Sequence, residues 1–454
     1  MKDTIIALAS PPGESAIGLI RLSGPETEQM AVKLIRFNSG LAMKSRMQKT
    51  GKIYSSSGIL IDEICAVFNK APGSYTGEDT IEITSHGNPL IQNDILQAFL
   101  SSGARMARPG EFTERAFLNG KLDLTGAEAV NDIIKANTRY SRAAALNQLQ
   151  GKLFKQIDEI HSSVMDLLAE LEASIDHSDL DEKFIENDET KGLLRDLIDR
   201  TGLLLSTAPA GIMAARGVQA SIIGATNTGK SSLMNLLLRE DRVIVSDIPG
   251  TTRDVVHEKL NIMGVPVNIY DTAGLRDSKD PLERKGMEKT SRILEKSDLR
   301  IVVLDCSRPV SDEDSRILRA VSGLKNIFVL NKIDLETVTD LKLIKERFGI
   351  DAIRISAATG EGLDILEKAV HEFYFSYGYN PETDVMIANA RQEDLLRKTH
   401  ACLLKGLESF ERGLSAEFTA SDLQAARSHL EEITGKTSDE SLLDRIFSKF
   451  CIGK

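Results

Sequence analysis

Short apolar runs alternate with turns through the first quarter of the chain. Ile5–Ala9, Ile17–Leu22, Ile64–Phe68 and Ile81–Thr84 have strand length, and two helix-like pieces lie among them, so residues 1–120 read as an α+β domain. The period then changes. Leu146, Leu149, Leu153, Ile157, Ile160, Val164, Leu167, Leu168 and Leu171 recur at three- and four-residue steps, which predicts one long amphipathic helix. Thr125 with Glu128 three residues on predicts an N-cap and capping box at the start of this helical zone, residues 121–211. Asp176–Asp188 interrupts it with acidic residues, Leu193–Leu205 resumes it, and Ala208-Pro209-Ala210-Gly211 leads into the next domain. Residues 212–377 alternate buried-looking strands with helices, and residues 378–454 are helical again. A domain flanked by helices on both sides predicts that those helices pack as one bundle and couple its state to a distant surface.

The strand Val218–Ile223 runs into Gly224-Ala225-Thr226-Asn227-Thr228-Gly229-Lys230-Ser231, and a helical pattern from Ser232 follows. Strand, glycine-rich turn and helix form the P-loop arrangement, in which backbone N–H groups wrap a phosphate chain. Lys230 supplies a mobile positive charge and Ser231 a hydroxyl for Mg²⁺.

Downstream elements follow in the order a GTPase requires. Asp271-Thr272-Ala273-Gly274 ends the strand Val265–Tyr270; the Asp suits the Mg²⁺ water shell and the Gly274 N–H the γ-phosphate. Asn331-Lys332-Ile333-Asp334 ends the strand Ile327–Leu330. The Asp334 carboxylate accepts two N–H bonds from guanine, a pairing adenine lacks, which is worth a discrimination of ~10⁴-fold. Ser356-Ala357-Ala358, after Ala352–Ile355, offers backbone N–H to the guanine O6. Thr251-Thr252, inside Gly250–Asp254, supplies a hydroxyl that completes a Mg²⁺ shell only while the γ-phosphate is present, the basis of a switch. Leu275 stands where small signalling GTPases carry a water-orienting glutamine, so another residue must do that work. Glu283, Glu288, Asp277 and Asp280 are the nearby carboxylates, and Arg253 and Arg276 the available arginines. The Asn227 side-chain carbonyl suits a K⁺ ion beside the phosphates, where the cation neutralises developing charge as an arginine finger does.

Length and composition bound the rest. At 454 residues the chain exceeds one core. A net charge of −11, with 27% charged and 41% apolar residues, opposes broad non-specific nucleic-acid binding but not a local RNA contact. Cys65, Cys306, Cys402 and Cys451 follow neither metal nor disulfide spacing, which suits a reducing compartment. Met1-Lys2-Asp3 begins no signal peptide and no run approaches a membrane span, so a cytoplasmic protein without membrane attachment is expected.

The sequence resembles the MnmE (TrmE) family of tRNA-modification GTPases over essentially its full length. The likeness is carried by Thr4-Ile5 with Pro11-Pro12-Gly13, Arg21-Leu22-Ser23-Gly24, Ser74–Asp79, Pro109–Lys121, Gly250–Asp254, Asp271–Arg276 and Cys451-Ile452-Gly453-Lys454. The resemblance implies a multidomain α/β plus α architecture. It has an N-terminal α+β domain that binds folate and dimerises, a helical domain, and an inserted P-loop GTPase domain with a Ras-like doubly wound sheet. It implies a 5-formyltetrahydrofolate-type donor held by Arg21, Glu78, Lys121 and Lys454; carboxylates of a folate tail are chemical partners for the three cations. It implies GTP or GDP bound with Mg²⁺ through Asn227, Thr228, Gly229, Lys230, Ser231, Ser232, Ser246, Asp247, Ile248, Pro249, Gly250, Thr251 and Thr252 together with the downstream motifs. Mg²⁺ would take Ser231 and Thr252; K⁺ would take Asn227, Ser246, Ile248 and Thr251, with Glu283 orienting the water as two GTPase domains meet. Family members form homodimers and act with a flavin-dependent partner, MnmG (GidA), as a heterotetramer. Together they install an aminomethyl or carboxymethylaminomethyl group at carbon 5 of the wobble uridine in certain tRNAs. Cys451 is either a thiolate nucleophile in that chemistry or a packing residue. Thr226 replaces a proline common in family P-loops, which predicts a looser loop, and Pro249 stands where a small residue is common.

Two other classes remain. A ribosome-assembly GTPase would carry a second GTPase domain or a basic RNA-binding module, and a helical scaffold driven by GTP would lack folate binding.

Overall fold

A computed structural model describes residues 3–38, 45–176, 188–238, 257–271, 297–339, 345–346, 349–437 and 439–454. Two compact units divide the chain: Met1–Ile134 with Leu149–Lys191 and Cys402–Lys454, and Lys135–Gln148 with Gly192–Ala401.

The first unit holds a seven-stranded sheet. Its strands are β1 (Ile5–Leu8), β2 (Ser15–Ser23), β3 (Ile35–Phe37), β4 (Gln48–Tyr54), β5 (Leu60–Asn69), β6 (Thr80–Gly87) and β7 (Arg105–Met106), in the order β3-β4-β5-β6-β2-β1-β7. All pairs are antiparallel except β1 with β7. Alternation decides its two faces. Ile20, Leu22, Ile81 and Ile83 point into a core closed by Ile95 and Phe99 of the helix Pro89–Leu100, which starts on an Asn88 cap. Arg21 and Ser23, one residue out of phase, lie opposite Glu82 and Thr80 on the other face.

Two helices of this unit, Lys152–Asp176 and Ala416–Thr434, pack along each other, burying Leu153, Ile157, Ile160, Val164, Leu167, Leu168 and Leu171. The apolar ladder does not form one helix from Leu146. Gly151, at φ 74°, breaks it, so Leu146 and Leu149 belong to a separate helix, Arg139–Leu149. Nor does Thr125 cap the helix Leu124–Lys135. It lies inside the first turn, and the Asp123 carboxylate accepts from the Gly126 N–H at 3.0 Å and from the Thr125 hydroxyl. The acidic interruption lies mostly outside the described residues.

The second unit is built on six strands: β8 (Val218–Ile223), β9 (His257–Ile262), β10 (Val265–Asp271), β11 (Leu299–Asp305), β12 (Asn326–Asn331) and β13 (Ala352–Arg354), ordered β13-β12-β11-β8-β10-β9. Only β9 with β10 is antiparallel. Along β11, Ile301 and Val303 enter one apolar cluster with Leu233 and Val370, while Val302 and Leu304 enter another with Leu318 and Val321. Cover on both faces explains why a parallel strand reads as a continuous apolar run. The expected connection at Ala208–Gly211 is itself helical, Ala208–Arg216, with Pro209 in the first turn, where no N–H is needed. Tyr374 Oη donates to the Ala210 carbonyl at 3.1 Å and fixes that helix.

Candidate functional sites

The P-loop site forms where β8 ends. Asn227, at φ 61°, and Gly229, at φ 91°, both take left-handed backbone, and Gly229 caps the helix Lys230–Leu237. A side chain at Gly229 would stand 2.1 Å from the Asn331 amide nitrogen, so only glycine lets the two loops meet. Lys230 Nζ donates to the Ala225 carbonyl at 2.7 Å and Thr228 Oγ1 to the same carbonyl at 3.0 Å, folding the loop over itself. The Ser231 and Ser232 hydroxyls are exposed and make no hydrogen bond among the described residues. At Thr226, where the sequence lacks the family's proline, the N–H and hydroxyl both reach Glu313 Oε2, at 3.4 and 3.2 Å.

The part of the site expected to take guanine is organised around Asn331. Its Nδ2 donates to the Thr228 carbonyl at 2.8 Å and its Oδ1 accepts from the Ala357 N–H at 2.9 Å, so one buried side chain joins the P-loop, β12 and the Ser356–Ala358 turn. Ser356 Oγ donates to Asp334 Oδ1 at 2.5 Å, which sets that carboxylate beside the same turn. Lys332 Nζ lies 2.6 Å from Asp305 Oδ2 at the end of β11. Burial raises the Asp305 pKa, but Lys332, the Ser307 hydroxyl and the Ser307 N–H outweigh it and hold the carboxyl below its ordinary value. Sequence reasoning missed Asp305 and Glu313. The signal for Asp305 was its place at the end of an apolar strand, Leu299–Leu304, in register with Asn331.

Asp271 ends β10 opposite Ile222 of β8. Ser246, Asp247, Ile248, Pro249, Gly250, Thr251, Thr252, Thr272, Ala273, Gly274 and Glu283 lie outside the described residues, as does the Asp271 side chain. Among the described residues no group of three His, Cys, Asp or Glu side chains suits a metal ion.

The second site lies on the β2 face opposite the core of the first unit. Arg21 is paired with Glu82, Nε to Oε1 at 2.8 Å, and its guanidinium stands 5.7 Å from the ring centres of both Tyr75 and Phe112. The segment Cys451–Lys454 reaches this face. Gly110 N–H donates to the Cys451 carbonyl at 3.3 Å, Phe112 N–H to the Lys454 carbonyl at 3.2 Å, and Arg21 Nη1 to the Gly453 carbonyl at 3.3 Å. Gly453, at φ 91°, passes so close to β1 that a Cβ would stand 2.5 Å from the Leu8 carbonyl. Burial and then the neighbouring Arg21 charge push the Lys454 ammonium below its ordinary pKa. The Cys451 thiol side of this segment is exposed.

Glu78 and Lys121 flank the same region through the loop that joins β5 to β6. Glu78 Oε2 accepts from Ser23 Oγ at 2.7 Å and from Arg115 Nη1 at 3.0 Å; its other oxygen has no partner among the described residues. Arg115 is fully buried and also bonds Asp3 and Glu111, so Glu78 belongs to a buried ion network rather than standing as a lone surface acid. Lys121 is exposed, and its Nζ donates to the Pro72 carbonyl at 3.1 Å. Arg21 and Lys454 therefore converge, Glu78 joins them through Ser23, and Lys121 meets the loop's outer side.

Comparison with known proteins gives the family to which the chain is similar. A profile described as "GTP-binding protein TrmE N-terminus" matches residues 4–121, and one described as "MnmE helical domain" matches residues 124–451. The tRNA modification GTPase MnmE of Thermotoga maritima is 41% identical over 458 residues, covering 100% of both chains. Its namesake in Aquifex aeolicus is 42% identical over 456 residues, again covering 100% of both. Among solved structures, Era of Aquifex aeolicus bound to GDP·AlF₄⁻ is 25% identical, covering 41% of this chain and 66% of that one, with a TM-score of 0.28. No helix among the described residues is long and apolar enough to cross a membrane.

Proposed function

We propose a function from one premise: this chain belongs to the MnmE family, whose curated members are named tRNA modification GTPases. It binds GTP and GDP at the P-loop, hydrolyses GTP, and acts in tRNA modification. The observation that carries this reading is the Asn331 side chain, which ties the phosphate-binding loop to the turn beside Asp334. A site so joined reads base and phosphates as one object.

In finer terms, the chain acts on carbon 5 of the wobble uridine with a flavin-dependent MnmG partner, adding an aminomethyl or carboxymethylaminomethyl group. Asp334 accepts the guanine N–H pair, Ala357 and Ala358 face the guanine O6, and Lys230 meets the β- and γ-phosphates. Mg²⁺ suits the free hydroxyl of Ser231, with Thr252 completing the set; when bound it neutralises phosphate charge. Asn227, Ser246, Ile248 and Thr251 would hold K⁺ when two GTPase domains of a homodimer meet, where the cation would neutralise developing phosphate charge, and Glu283 would orient the attacking water.

The folate donor fits the β2 face. Two cations, Arg21 and Lys454, stand close enough there to repel, and a carboxylate ligand relieves that repulsion. The free oxygen of Glu78 suits an amidine-like N–H edge, and Cys451 is exposed beside them. The test is wobble-uridine mass spectrometry on tRNA from cells lacking this chain. Loss of the carbon-5 substituent is expected; an unchanged nucleoside profile would overturn the reading.

A further inference from the structure

We propose that a cation-lined cleft at the end of the six-stranded sheet opposite the P-loop binds the phosphate backbone of RNA. The inference rests on the tRNA-modification reading above and adds the surface that reading lacks. The cleft is lined by Lys135, Arg216 and Lys259 together with Asn137 and Asn268. Among the described residues no acidic side chain lines it. Arg216 pairs with Asp298 at 2.8 Å. Asn268 Nδ2 donates to the Arg216 carbonyl at 2.7 Å and holds the arginine's backbone at the rim.

Position separates this cleft from the nucleotide site. Arg216 precedes β8, whereas the P-loop follows it, and Val267 pairs with Val218 at the start of the parallel strands. Six strand residues intervene, a span of about 20 Å. GTP held by Lys230 does not reach it.

The chemistry favours a polyanion's backbone over a single nucleotide. Among the described residues no aromatic side chain lines the cleft, so a base would find nothing there to stack on. Lys135 and Lys259 are exposed side chains, which bind one free phosphate weakly but gain by counterion release along a strand. The whole chain carries a net charge of −11, so RNA contact must be local, and this cleft is such a place.

The experiment titrates unmodified tRNA into the full chain by fluorescence anisotropy from about 50 to 200 mM salt. The double variant Lys135→Glu/Lys259→Glu is expected to bind tRNA at least about tenfold more weakly, with a log–log salt slope smaller by about two. Its tRNA-free GTP turnover should equal wild type, which shows that the fold survives, and Lys135→Arg/Lys259→Arg should restore binding. Inorganic phosphate at millimolar concentration should leave the complex intact. Unchanged affinity and slope in the double variant would overturn the inference, as would displacement by inorganic phosphate or a wild type that fails to bind tRNA. Wobble-uridine analysis decides the proposed function separately.

Discussion

The Asn331 amide nitrogen lies 2.8 Å from the Thr228 carbonyl, while its oxygen receives the Ala357 N–H at 2.9 Å. Both bonds are buried, and Asn331 is 1% exposed. Asn331→Ala leaves a carbonyl and an N–H unpaired in the interior, at about 1–3 kcal/mol each. GDP affinity should fall by about 100-fold, read by displacement of a fluorescent guanine nucleotide. An affinity within threefold of wild type would show that the two loops hold their places without it.

Asp334 is held by Ser356 at 2.5 Å, so its orientation is set before any base arrives. Asp334→Asn replaces an acceptor pair by one acceptor and one donor, which matches xanthine instead of guanine. GTP should lose on the order of 10³-fold or more in kcat/KM, and XTP should become the preferred substrate. Retained GTP preference in this variant would remove Asp334 from base recognition.

Gly453 is constrained by φ 91° and by the Leu8 carbonyl, 2.5 Å from where a Cβ would lie. Gly453→Ala should displace Cys451–Lys454 from the β2 face and cost about 1–3 kcal/mol locally. Calorimetry with 5-formyltetrahydrofolate should show affinity lowered at least tenfold, with guanine-nucleotide binding unchanged. Equal folate affinity would separate this segment from the donor site.

Acid should loosen the first unit through Glu111. Burial raises its pKa, but Arg105, the Arg108 N–H and Arg115 together outweigh burial and hold it below the ordinary 4.5. An acid with a lowered folded pKa stabilises fully above the unfolded value and loses that contribution as pH falls through the folded one. Hydrogen-exchange protection of residues 105–118, corrected for intrinsic rates, should be flat above about pH 5 and fall below about 4.5. Glu111→Gln should flatten that acid limb. An identical limb in the variant would assign acid sensitivity elsewhere.

Much of the second unit was legible because parallel strands buried on both faces announce themselves as apolar runs, each ending in a recognisable motif. Val218–Ile223, Val265–Tyr270 and Ile327–Leu330 all form strands at those positions. Asp305 was marked only by its place at the end of an apolar strand; its role depends on strand register with Asn331, which local pattern does not encode. The long apolar ladder misled for a similar reason: its period continues across Gly151, while the backbone there turns left-handed. Thr125 and Asp123 are both capping residues by type, and only the geometry chose Asp123. On the β2 face, Arg21 and Lys454 were named from resemblance, but Arg115 was not. A buried arginine that gathers Asp3, Glu78 and Glu111 leaves no local mark in sequence.

Competition between GDP and ADP for the full chain in magnesium buffer tests the central claim most directly. The account predicts that GDP binds at least about 10³-fold more tightly than ADP, since only guanine offers Asp334 its N–H pair. Equal binding of the two, or retention of neither, would contradict it.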